Sequence, residues 1–268
     1  LKEKNQAPEK IFIADHGAFL SNTMKIIIEQ GMYDVAMEEG VNVLSWEDTD
    51  HVQYKSDKFE YMKHPVRIST TLKAFDHFIN VPVIKNHELN VYPRPKHQAQ
   101  YTCCLKAFVG VIHPHDRLFN KRMFHEYDLP RKIAELNLCR PYKLLNGKPG
   151  VTMNIVDATS IIVEGGPHNS IYLQEMKVEY PNIILASKDR VACDTAALSV
   201  LKHYGMRRCK KLKDYIKTPV WDQPQIVHAS HLGLGINDPN RIEFTSEGID
   251  EQELASIMKM WNHTEPIT

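Results

Sequence analysis

Residues 79–90 read INVPVIKNHELN. The first half is apolar and β-branched, as in a strand buried on both faces, and the second half delivers Lys85, His87 and Glu88 in quick succession. A strand predicted over 78–84 therefore ends against a cluster of charge. In an open α/β sheet, ligands bind beyond the carboxyl ends of the strands, because the loops there face a crevice lined by helix N-termini. The stretch thus sets both the fold class and the place to look for a site.

On either side of it, two periods alternate. Strand patterns occur at 10–14, 41–46, 154–157, 182–187 and 241–245, and helical spacing at 22–30, 33–39, 102–112, 129–140, 190–204, 225–231 and 250–261. Gly31, Gly40 and Gly205 are placed to end helices, and residues 51–69 read as a peripheral hairpin. Strands alternating with helices predict an α/β fold with a mixed, largely parallel sheet flanked by helices on both faces. Residues 1–268 read as one domain, with basic Pro- or Gly-bearing loops inserted at 93–100 and 142–150.

Composition excludes several classes. Lys+Arg and Asp+Glu both number 33, so no global field draws the chain to nucleic acid. The longest apolar runs, such as Ile161-Ile162-Val163, fall far short of the roughly 20 residues of a membrane span. The five cysteines, Cys103, Cys104, Cys139, Cys193 and Cys209, are odd in number and lack Cys-x-x-Cys spacing. That argues for a reducing, cytoplasmic setting and against an iron–sulfur cluster held by this chain's cysteines. An exported form would need a signal ahead of Leu1. In the predicted helix, one of Cys103 and Cys104 is expected to pack inward while the other is incidental.

The strand-end rule selects further residues. Asp157 closes one strand pattern, and Glu164-Gly165-Gly166-Pro167 follows, where two glycines can form a nest of N–H groups for an anion. Asp189 is placed to cap a helix, and Asp194 lies in that helix among Ala, Val and Leu, where a carboxylate needs a partner. Among 14 histidines, His113-Pro-His115 and His228-Ala-Ser-His231 have spacings that invite metal, without a diagnostic third ligand. The glycines of His231-Leu-Gly-Leu-Gly235 do not complete a dinucleotide fingerprint.

Taken in order, FINVPVIKNHELN (78–90), YTCCLKAFVGVIHP (101–114), KIAELNLCRP (132–141), NIVDATSIIVEGGP (154–167), ILASKDRVACDTAALSVLKHYG (184–205) and HASHLGLGINDPNRIEF (228–244) resemble the family known as domain of unknown function 362. The resemblance spans about residues 10–246. It points to Lys85 and His87 in a Lys-x-His motif, Lys106 and Gly110 in Leu-Lys-x-x-x-Gly, Asp157, Glu164 with Gly166 and Pro167, and Asp189 and Asp194 in Asp-x-x-Ala-x-Asp. Members often carry a ferredoxin-like cluster module or a twin-arginine signal, which implies a ferredoxin-like redox partner; neither feature is visible here. The family's earlier strand bearing Lys-Pro-Asn is also missing, and the two inserted loops lengthen the spacing.

Residue chemistry then gives the expected roles. His87 is the expected base, Lys106 the electrophilic partner and Asp194 a further catalytic carboxylate, with Lys85, Gly165, Gly166 and Asp189 holding a small anionic molecule. A rival reading places a divalent metal on carboxylates and imidazoles, with Asp157, Glu164 and His125 as ligands. His87, Lys106 and His125 also resemble the His…Lys…His order of nickel-pincer lactate racemases. The non-catalytic alternative is a protein that binds a redox partner or a metallocofactor.

Overall fold

The computed structural model describes residues 10–17, 21–87, 98–119, 124, 127–139, 151–166, 175–209 and 213–267. The expected residues His125 and Pro167, the loop 142–150 and most of the loop 93–100 lie outside them.

Two small sheets precede the main one. Strands β1 (Phe12–Asp15) and β2 (Asn42–Ser45) pair in parallel, joined through helices α1 (Thr23–Glu29) and α2 (Met32–Glu38). Asn22 caps α1 by accepting from the Lys25 amide, and Gly31 takes the left-handed conformation (φ 72°) that turns the chain from α1 into α2. Strands β3 (His51–Tyr54) and β4 (Val66–Ser69) form the expected hairpin.

The six-stranded sheet holds the core. Its order is β10–β8–β6–β7, from β6 (Val83–Asn86), β7 (Tyr101–Thr102), β8 (Val151–Glu164) and β10 (Ile183–Ser187), while β5 (Phe78–Asn80) and β9 (Lys177–Glu179) also pair with β8. The strand expected at 78–84 is thus two strands, because Pro82 cannot donate to the ladder at the break. β5 and β6 run parallel to β8, whereas β7, β9 and β10 make antiparallel pairs, so the sheet is mixed as the α/β reading anticipates.

Strand β8 runs well past Asp157. Burial alternates through Asn154, Val156 and Ala158, then changes phase to Ile161 and Val163. The register on β6 slips at the same place, from Val83↔Asp157 to Lys85↔Ile162. Asp157 holds this irregularity, since its Oδ1 accepts from the Thr159 amide (2.8 Å) and hydroxyl (2.7 Å).

The short helix α3 (Cys104–Ala107) tightens into a 3-10 turn over Phe108–Val111, and α4 (Leu129–Leu136) follows. Helix α5 (Arg190–Arg208) packs on β6, β8 and β10, with every residue from Val191 to Leu201 buried. It passes through Gly205, which was expected to end it. Glycine is required there for space: a Cβ would lie 2.1 Å from the Tyr215 hydroxyl, which donates to the Val163 carbonyl. Helices α6 (Asp214–Lys217), α7 (Pro224–His231) and α8 (Glu251–Asn262) complete the fold, α7 against α4 and α8 against α5. Residues 241–245 form no strand; after the turn Pro239–Arg241, Ile242 and Phe244 pack directly on the core.

Candidate functional site

The carboxyl ends of three strands meet beside α3. Asp15 ends β1, and His16 and Gly17 follow it; Glu47 lies just past β2; Lys85 lies in β6, with His87 beyond its end. Lys85 pairs with Thr102 across β6–β7, which brings it near Lys106 in α3. Arg117, on a π-helical turn over His115–Phe119, donates from one nitrogen to the Gly17 carbonyl (2.9 Å) and to His16 Nδ1 (3.2 Å).

This group is rich in buried positive charge. Lys106 is half-buried, and burial pushes its ammonium down to about 7, with the charges of Lys85 and Arg117 acting in the same direction. Burial also lowers Lys85, opposed by Asp15, and brings Arg117 down to about 10, opposed by Glu47 and Asp15. Asp15 is raised, chiefly by burial and against the pull of the His16 amide, Lys85 and Arg117. His16 falls to about 4 because it is buried and faces Arg117. It is therefore a neutral imidazole near neutral pH. Nδ1 stands between the Gly17 carbonyl (3.0 Å) and Arg117 (3.2 Å), and Nε2 is a buried nitrogen with no hydrogen-bond partner among the described residues. Gly110, the glycine of the Leu-Lys-x-x-x-Gly motif, backs the imidazole, its Cβ position 3.5 Å from the His16 Cβ.

Of the residues expected to share a cavity, Lys85 and Lys106 are brought together and His87 stays on their edge. Alternation puts His87 on the same side of the strand as Lys85, with Nδ1 3.0 Å from the Thr102 hydroxyl. Asp157 lies apart, beside Val83 at the start of β6, engaged with Thr159. Glu164 is bound by Lys177 and Lys213 (2.9 Å to the latter), and these two lysines hold its carboxyl below the usual range despite burial.

Gly165 (φ 103°) and Gly166 (φ 59°) do take left-handed conformations. A Cβ on Gly165 would fall 2.7 Å from the Glu175 carbonyl oxygen, so close chain packing already requires that glycine. Asp189 caps α5 through the amides of Val191 and Ala192 (2.8 and 2.9 Å) and ties down Ile236 N (2.8 Å). It stands at the far end of a 19-residue helix from Cys209, which reaches the carbonyl next to Glu164, so Asp189 and Glu164 are about 28 Å apart along that axis.

Asp194 faces sulfur, not the lysines. One oxygen accepts from Tyr101 Oη (3.4 Å) and Gln225 Nε2 (3.2 Å); the other meets no donor at hydrogen-bonding geometry among the described residues, although the Cys103 and Cys104 thiols and the Cys104 and Leu105 amides lie close enough to favour the charged form. A donor atom from each of Cys103, Cys104 and Asp194 lies within 4.8 Å of the others, and all three residues are buried. The expectation that one of the vicinal cysteines is incidental is thus corrected. Cys103 precedes the helix in an extended conformation (φ −157°), so both thiols turn inward.

The histidine pairs have structural partners. His228 Nε2 lies 3.3 Å from Glu135, a fully buried carboxylate that accepts the amides of Glu60, Tyr61 and Met62. His113 packs edge-on against His51 (4.8 Å), and Asp116 beside it is clasped by Arg67.

Sequence reasoning missed Asp15, His16, Glu47 and Arg117. The strand-end rule applied to β1 would have found Asp15 and His16. Among the described residues, no helix is long and apolar enough to cross a membrane. No curated protein and no solved structure matches the chain. A family model described as domain of unknown function (DUF362) matches residues 1–199, which includes every residue of the Lys85–Lys106–Arg117 group and the sulfur cluster but not the stretch 228–244. Spanning 199 of 268 residues, this match places the chain in the DUF362 family.

Proposed function

We propose that the protein is an enzyme that binds a small oxyanion, a carboxylate or a phosphate, where Asp15, Lys85, Lys106 and Arg117 meet, and moves a proton on it. The observation that carries this reading is the convergence of Lys85, Lys106 and Arg117 within electrostatic reach of one another at strand ends, with Asp15 and Glu47 as the opposing charges. Among the described residues, neither lysine has a carboxylate within ion-pair distance. A bound oxyanion would answer that excess charge, with Arg117 offering a planar fork and the lysines point charges. Asp15, made easier to protonate by burial and within electrostatic reach of Lys85 and Arg117, is the group to give or take a proton, and His87 on the edge of β6 is the second base.

The test is a melting screen with inorganic phosphate and small mono- and dicarboxylates. An anion held at one hundred times its Kd stabilises the fold by about 2.7 kcal/mol. The stabilisation should be lost in Lys85→Ala and in Arg117→Ala, and kept in Lys177→Ala, whose lysine is bound to Glu164. An unresponsive wild type, or equal responses in the variants, would overturn the proposal.

A further inference from the structure

The sulfur cluster lies beside this site but is closed to it. Cys103 and Cys104 are 0% and 1% exposed and Asp194 is 0% exposed, so no substrate reaches them. Asp194 has no Lys, Arg or His in ion-pair contact among the described residues; the Cys103 and Cys104 thiols and the Cys104 and Leu105 amides lie close enough to favour its charged form against burial, yet no donor reaches Oδ1 at hydrogen-bonding geometry. A carboxylate so placed is costly unless a cation or a proton answers it. The two sulfur atoms are 3.8 Å apart. Two Zn–S bonds of about 2.3 Å at a tetrahedral angle would put their sulfurs about 3.8 Å apart, so the thiols already stand at the separation that one ion needs. Cys193, 2% exposed and hydrogen-bonded to Cys104, is the nearest additional donor.

We propose that Cys103, Cys104 and Asp194 form a closed structural site for a thiophilic divalent ion of the zinc class. Thiolates with a carboxylate select a borderline-soft ion over magnesium or calcium, and the absence of an open approach fits a structural ion, not a catalytic one. Binding releases the two thiol protons and leaves a dication facing three anionic ligands. The ion would pin the start of α3, and so Lys106, to the second turn of α5.

The experiment uses the full chain, unfolded with chelator and a phosphine reductant, then refolded with zinc or cobalt(II) alone and dialysed. One ion per chain is expected, with thiolate-to-cobalt charge-transfer absorption in the near ultraviolet. Cys103→Ser and Cys104→Ser should each weaken retention at least tenfold, while Cys139→Ser, altering a buried thiol elsewhere, should retain it. Should a serine variant fail to refold, the cobalt spectrum of the wild type decides. Refolded wild type without stoichiometric metal, cobalt bound without the thiolate band, or undiminished retention in both serine variants would each overturn the proposal.

Discussion

Acidification should remove stability through one imidazole. His16 is 2% exposed at its side chain, and burial, reinforced by Arg117, brings its pKa from 6.5 to about 4. Because the folded value lies below the unfolded one, the unfolded chain binds the proton first. The contribution is complete above pH 6.5 and is lost as pH falls from there toward 4. Between pH 7 and pH 5 this single group accounts for a loss of about 2 kcal/mol, taking 1.36 kcal/mol per unit. Asp15 and Asp194, both raised by burial, act in the opposite sense, and His51, His113 and His203, lowered by burial, act in the same one, so the slope of the wild type alone does not report His16. His16→Gln removes the titration and leaves those carboxylates. Urea unfolding of both proteins at the two pH values isolates the imidazole's contribution, and the stability difference between wild type and variant should fall by about 2 kcal/mol on acidification. Parallel slopes would refute the reasoning.

Two further predictions concern packing away from the site. Gly205→Ala drives a methyl into the Tyr215 hydroxyl and should cost about 2 kcal/mol or more in urea unfolding; an unchanged midpoint would mean that Tyr215 moves freely. Glu135→Gln turns one end of a buried acceptor into a donor facing the amides of residues 60–62, with an expected loss of about 2–3 kcal/mol and faster amide exchange in that loop.

How far the sequence was readable can be judged from particular residues. Lys85 is legible because a β-branched run ending in charge has one meaning in an α/β sheet, and Lys106 is legible through the Leu-Lys-x-x-x-Gly motif of the family resemblance. Asp15 and His16 obey the same rule, but the apolar run before them is short and carries no cluster of charge at its end to single them out. Arg117 was hidden beside a histidine pair that drew attention to metal. Cys103 and Cys104 were misread because helical periodicity was applied one residue ahead of a four-residue helix. Glu164 could not be resolved from sequence, since its partners Lys177 and Lys213 are distant in the chain. The alternation at 241–245 has another cause: Ile242 and Phe244 are partly buried against the core, Phe244 beside Trp261 (5.7 Å), with no strand paired to them among the described residues.

The division into separate sheets carries a consequence for motion. Asp15, His16 and Glu47 ride on the two-stranded β1–β2 unit, whereas Lys85 belongs to the sheet covered by α5 and Lys106 to α3, which packs on α5. Small peripheral units open at lower free energy than a core strand such as β8, which melts only with the whole domain. The seam between the two units therefore runs through the proposed binding place, and an anion bridging it would stitch the more easily opened unit to the stiffer one.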